Sequence, residues 1–335
     1  MTDVRTDVRN GLGHITLNRP KVINALTHDM VRTIDAVLTE WENDDSVRTV
    51  VITGAGHRGL CAGGDIRTIY DDARSGGTAS LAFWADEYRL NAHIARFPKP
   101  YVAVMDGLVM GGGVGVSAHG SIRVVTERSR VAMPEVGIGL VPDVGGTYLL
   151  SRAPGQFGTH IALTTAQLSA GDAIHCGLAD YHVPSARIPQ LLELLEQRNA
   201  ADAVRAVAEL PADRPLSRQA DWIDTCYAAD TVEEILQRLR ASGEPGSSAA
   251  KEIEGKSPTA VKVTLRSLRS AAALPDLEAV LAQEYRVSAA CLRGHDLAEG
   301  IRAQIIDKDR NPRWSPGTLA EVGDDIVAAH FEEVQ

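Results

Sequence analysis

Up to about Val183 the chain alternates short β-branched runs with segments whose apolar residues recur at helical spacing. "HITLN" (14–18) and "RTVVITG" (48–54) read as strands bounded by turn formers. Between them Met30, Val31, Ile34, Val37, Leu38 and Trp41 fall on one helical face, with Thr27 as the N-cap. "YVAVM" (101–105) reads as a buried strand, and "IRVVT" (122–126) with "RVAM" (130–133) as a further pair. Strands alternating with helices predict an α/β fold. After Pro184 the pattern becomes almost wholly helical. Leu191, Leu192, Leu194 and Leu195 open it, and amphipathic segments follow near 217–227, 231–242, 247–270 and 276–292. "ASGEPGSSA" (241–249) reads as a linker, and the tail "DKDRNPRWSP" (307–316) as an extended surface segment.

Charge narrows the partners. With a net charge of −10, the protein is not expected to bind nucleic acid or an anionic membrane surface generally. A phosphorylated small ligand needs only a few local cations and stays open. The N-terminus "MTDVRTDVRN" has no apolar core, and no window is long enough to span a bilayer. Cys61, Cys176, Cys226 and Cys291 lie scattered without a CxxC, which suits a reduced cytoplasm. The ten histidines show no metal-ligand spacing, so no metal is expected.

The candidate chemistry lies in glycine-rich stretches. "CAGGD" (61–65) follows a strand and a glycine-rich loop and reads either as a helix start at Asp65 or as a tight turn capped by it. "MGGGVGVSAHG" (110–120) reads as a strand, a short loop and glycines opening a helix. Unpaired N–H groups there can bind an oxyanion or phosphate. Gly113-x-Gly115-x-x-Ala118 formally matches the dinucleotide fingerprint, but "DGLVM" separates it from the preceding strand. No nicotinamide cofactor is expected. Ser117 is one residue short of a GxSxG elbow, because His119 stands at the fifth position, so it reads as a packed small residue. "MPEVGIGLVPDVGG" (133–146) places Glu135 and Asp143 in an otherwise apolar, glycine-broken stretch. A carboxylate in such surroundings is costly unless paired or hydrogen-bonded. The stretch reads either as helix caps or as a pocket wall carrying a general base and a polar anchor. On these residues alone both readings stand.

The joint pattern resembles the crotonase (enoyl-CoA hydratase/isomerase) superfamily. The stretches that carry the resemblance are "NRPKVINALT" (18–27), "CAGGDIR" (61–67), "KPYVAVMDGLVMGGGVGVS" (99–117) and "MPEVGIGLVPDVGG", in that order. "DEYRLN" (86–91), "PDVGG" (142–146), "EYRVSAACLRGHDLAEGIRA" (284–303) and the tail are similar to the 3-hydroxyisobutyryl-CoA hydrolase branch and extend the match to nearly full length. The resemblance implies a crotonase-like spiral core of β-β-α units with a helical C-terminal region, divided as 1–195 and 196–335. It implies that the Gly64 and Gly112 N–H groups polarise an acyl-CoA thioester carbonyl, with Glu135 as the catalytic carboxylate. Asp143 would orient the substrate's 3-hydroxyl or the water, and Glu87 would line the acyl pocket. Lys21, Ala62, Asp65 and Arg67 would contact coenzyme A, with no further cofactor. Members with hydratase activity carry a second glutamate where this chain has Gly115. Hydration needs both a base and an acid, so this departure favours thioester hydrolysis, which the resemblance to the hydrolase branch would place in valine catabolism. Hydratase or isomerase activity, and an idle assembly scaffold, are the alternatives. Relatives often form homo-oligomers through their C-terminal helices, a surface that the hydrolase-like tail can cover, so a homo-oligomer stays open.

Overall fold

The computed structural model describes residues 2–333, which form two compact units, each drawn from separate stretches of chain. The first contains the chain up to Gly64, Asp86–Ala132 and Gln167–Ser217. It holds nine strands: β1 (Val4–Arg9), β2 (Leu12–Leu17), β3 (Thr49–Gly54), β4 (Gly59–Cys61), β5 (Tyr101–Met105), β6 (Leu108–Met110), β7 (Ile122–Val125), β8 (Arg130–Ala132) and β9 (Tyr181–His182). The larger sheet runs β1-β2-β3-β5-β7-β9, and the smaller β4-β6-β8. β1 and β2 form an antiparallel hairpin turned at Asn10-Gly11, both at positive φ, the dipeptide that such two-residue turns favour. All other pairings between named strands are parallel. The run "YVAVM" is buried throughout, as expected of a strand inside a parallel sheet. Val51, Val102, Val104 and Val124 pack against Leu191, Leu195, Ala203 and Val204 from the helices Ile188–Gln197 and Ala200–Arg205. The Thr27 hydroxyl accepts from Met30 N–H and starts the helix His28–Glu42 as expected.

Two readings of this region change. "IRVVT" and "RVAM" are not partners: β7 pairs with β5 and β9, whereas β8 pairs with β6. The segment "DGLVM" does not separate the glycines from a strand, because Leu108–Met110 is itself a strand ending at them. The dinucleotide reading fails instead because the helix that follows spans only Gly112–Gly115.

The second unit comprises Asp65–Ala85, Met133–Ala166 and the chain from Arg218 onward. Its helices include Val232–Ala241, Gly246–Glu254, Pro258–Ala271, Leu277–Arg293 and His295–Ile301. Thr231, Ser257 and Asp276 cap three of them through their side-chain oxygens. The segment 247–270 is therefore two helices, broken at Gly255, with Pro258 starting the second at a position that needs no N–H. The expected linker shrinks to 242–245, because a helix already begins at Gly246. The tail is extended and fastened. Arg302 pairs with Glu299, Asp307 and Asp309, while Ser315 N–H donates to Asp296 at 2.8 Å. No described helix is long and apolar enough to cross a membrane.

Candidate active site

In the smaller sheet β4 and β6 run parallel and in contact, and each ends just before a glycine cluster. Their carboxyl ends therefore deliver Gly64 and Gly112 side by side. A Cβ added to Gly112 would lie 3.4 Å from the Gly64 nitrogen. Gly112 opens the short helix after β6, where N–H groups have no intrahelical acceptor. Neither amide donates to another backbone group within the described residues. The two N–H groups are thus adjacent and available to an acceptor.

The loop bearing Gly64 is held from below by "NRPKVINALT". Asn24 is fully buried at φ 55°, and its amide nitrogen contacts the carbonyls of Ala55, Gly59 and Leu60, each at 3.1 Å. Its Oδ1 accepts from Arg19 N–H. The neighbouring backbone then grips the glycine loop, with Ala62 N–H donating to Ile23 and Leu26 N–H to Gly63. Gly112 has no room for a side chain, since its Cβ would approach Glu87 Oε1 to 2.5 Å and Leu26 Cδ1 to 3.1 Å. Glu87, on the helix Ala79–Ala95, is only 2% exposed, so a buried carboxylate stands beside the amide pair. Cys61 lies nearby but is inert. Burial pushes its thiol up to about 12, which keeps it protonated at neutral pH. Ser117 is fully buried and donates to Gly113 O at 2.6 Å, which leaves it unsuited to act as a nucleophile.

β8 ends at Ala132, three residues before Glu135. Glu135 opens the 3-10 turn Glu135–Ile138 and is 5% exposed, as is Asp143 further along the loop. Each carboxylate has its own C-terminal support. The Glu135 turn packs on the helix His295–Ile301, where a Cβ at Gly300 would come within 2.4 Å of the Ile138 carbonyl. Gly300→Ala should therefore cost about 1–3 kcal/mol. A lower denaturation midpoint with reduced kcat is expected, and an unchanged midpoint would contradict this packing. Downstream of Asp143, the loop is bound by Glu284 from the helix Leu277–Arg293. The motifs singled out no role for Glu284. Its signal was a glutamate on the buried stripe shared with Val280, Leu281, Val287 and Cys291.

Of the expected coenzyme A contacts, Lys21 and Arg67 are exposed, while Ala62 and Asp65 are partly buried. Lys21 lies in the first unit and Arg67 in the second. Asp65 precedes the helix Ile66–Ser75 without capping it through its side chain.

Within the first unit, paired amide donors beside the buried Glu87 carboxylate are suited to polarise a carbonyl and move a proton. The family model for enoyl-CoA hydratase/isomerase matches residues 12–331, and the chain belongs to this family, with its α/β crotonase fold. The chain is 42% identical to the mitochondrial 3-hydroxyisobutyryl-CoA hydrolase of Gallus gallus, over 98% of this chain and 89% of that protein. The Homo sapiens protein of the same name is also 42% identical, over 99% and 89%. Among solved structures, a carnitinyl-CoA dehydratase from Mycobacterium thermoresistibile is 55% identical with a TM-score of 0.97, covering 100% of this chain and 97% of that one. An enoyl-CoA hydratase from Rhodobacter sphaeroides is 42% identical with a TM-score of 0.93, covering 98% and 97%.

Proposed function

We propose that the protein hydrolyses a short 3-hydroxyacyl-CoA thioester, 3-hydroxyisobutyryl-CoA foremost, in valine catabolism. The observation that carries this reading is its similarity over nearly the whole chain, C-terminal region included, to proteins named for that reaction. Gly115 supports it, because the place of the hydratases' first glutamate has no side chain. In this reading the Gly64 and Gly112 N–H groups bind the thioester oxygen as negative charge develops on it. Glu135 takes a proton from water as the water oxygen bonds to the carbonyl carbon, or attacks that carbon itself to give, once the thiolate has left, an anhydride that water then hydrolyses to the free acid and Glu135. Collapse of the tetrahedral intermediate breaks the C–S bond, and the thiolate leaves and is protonated. A thiol pKa near 8.5 makes this departure easy, so one carboxylate suffices. Asp143 would position the 3-hydroxyl or the water. Lys21 and Arg67 are the proposed cations for the coenzyme A phosphates. Cys61, Cys176, Cys226 and Cys291 are buried free thiols, in keeping with the reducing cytoplasm.

A second reading has its own support. Glu87 beside Gly112 supplies another buried carboxylate, and the 55% identical structure is that of a protein named a carnitinyl-CoA dehydratase. With two carboxylates the site would add or remove water at the acyl chain. Thiol release across a panel of acyl-CoAs, with and without a chelator, separates the two. We expect release from 3-hydroxyisobutyryl-CoA to exceed crotonyl-CoA hydration and to survive chelation. Hydration without thiol release would favour the second reading.

A further inference from the structure

Asp143 is followed by a backbone reversal that the local sequence does not favour. Val144 is buried and sits at φ 54°, a left-handed conformation that β-branched residues avoid, and Gly145 follows at φ 77°. Such a conformation persists only where the surroundings over-determine it, and it clusters at functional sites. It is closed by the Gly146 N–H, which donates to Asp143 O at 2.6 Å, and it is bound from outside by a side chain far along the chain. Glu284 Oε2 accepts the Gly145 N–H at 2.7 Å. Its Oε1 accepts the Thr147 N–H at 2.9 Å and the Thr147 hydroxyl at 2.5 Å. Both carboxylate oxygens are thus engaged, and all three partners donate. An amide in this place would have only one oxygen to accept with.

The location is electrostatically expensive. Glu284 is 1% exposed, and burial, with a contribution from the Asp143 charge, pushes its carboxyl up to about 8. The three hydrogen bonds pull the other way. The Asp143 charge also reaches Cys291, two turns further along the same helix. An apolar residue in its place would leave the Gly145 and Thr147 N–H groups without this acceptor.

We infer that Glu284 is a positioning residue for Asp143, clamping the Val144–Gly145 reversal so that the Asp143 backbone has a single place. The inference rests on the reading that Asp143 serves the reaction. Glu284 itself touches neither substrate nor water in this account; it acts through the loop.

A double-mutant cycle in kcat and KM, with melting temperature recorded throughout, tests it. Glu284→Gln should stay folded and lose roughly tenfold in kcat on 3-hydroxyisobutyryl-CoA, within the range for coupled neighbours. Added to Asp143→Asn, the same change should cost less than about twofold, because the residue it positions is already disabled. Should Glu284→Gln fail to fold, Thr147→Val takes its place in the cycle. It removes one hydroxyl from the clamp, and a smaller loss confined to the Asp143 background is expected. Equal losses with and without Asp143 would make the clamp a general stabiliser and overturn the inference alone. Full activity in Asp143→Asn would remove the role of Asp143, and the inference with it.

Discussion

Glu135→Gln should retain acyl-CoA binding and lose thioester hydrolysis by about 10³-fold, within the range for removing a general base. The substitution is nearly isosteric. The turn that carries Glu135 is shaped by main-chain bonds, Gly137 N–H to Pro134 O and Leu140 N–H to Glu135 O. It is also packed against the helix His295–Ile301 through Gly139 and Gly300. Neither support runs through the carboxylate, so the amide variant should fold normally by circular dichroism. What it loses is the ability to take a proton or attack as an anion. The loss should therefore fall on kcat, with KM little changed. Near-normal turnover in a folded variant would mean that another group, with Glu87 the first candidate, supplies the base.

Gly112→Ala should cost about 10²–10³-fold in kcat, comparable to losing one oxyanion donor. The added Cβ would lie 2.5 Å from Glu87 Oε1 and 3.1 Å from Leu26 Cδ1. One of these must move, and the amide or the carboxylate moves with it. A double variant tells them apart. Glu87→Ala removes the obstructing carboxylate and leaves Leu26 Cδ1, at 3.1 Å, as the nearest side-chain atom. If Gly112→Ala acts by displacing Glu87, it should cost little more once Glu87 is gone. If it acts by shifting the donor amide, the loss should persist in the Glu87→Ala background. Full activity of Gly112→Ala would contradict a catalytic use of this amide.

The elements legible in the sequence were those long enough to carry a period. "YVAVM" is the strand Tyr101–Met105, and the apolar face from Met30 to Trp41 is the helix capped by Thr27. β4 and β6 were not legible, because three residues show neither alternation nor helical spacing. Yet these two strands place Gly64 beside Gly112. The sequence showed the glycines but not the neighbouring strand ends that align them. β1 reads "VRTDVR" and is exposed at all but Val4, so it lacked an apolar face; only Asn10-Gly11 marked its hairpin. The gripping of the glycine loop by Asn24 depends on carbonyls more than 30 residues away. Glu284 lies further still from its partners, 137 and 139 positions along the chain. Such pairings are set by tertiary packing, which a local pattern does not report.

The decisive question is which bond water enters. Turnover of 3-hydroxyisobutyryl-CoA in oxygen-18 water, followed by mass analysis of the free acid and of the remaining thioester, answers it directly. Thioester hydrolysis predicts one labelled oxygen in the carboxylate of each acid, one thiol per acid, and an unlabelled 3-hydroxyl. Label entering the 3-hydroxyl of the coenzyme A thioester, without thiol release, would contradict hydrolysis and make the protein a hydratase or dehydratase.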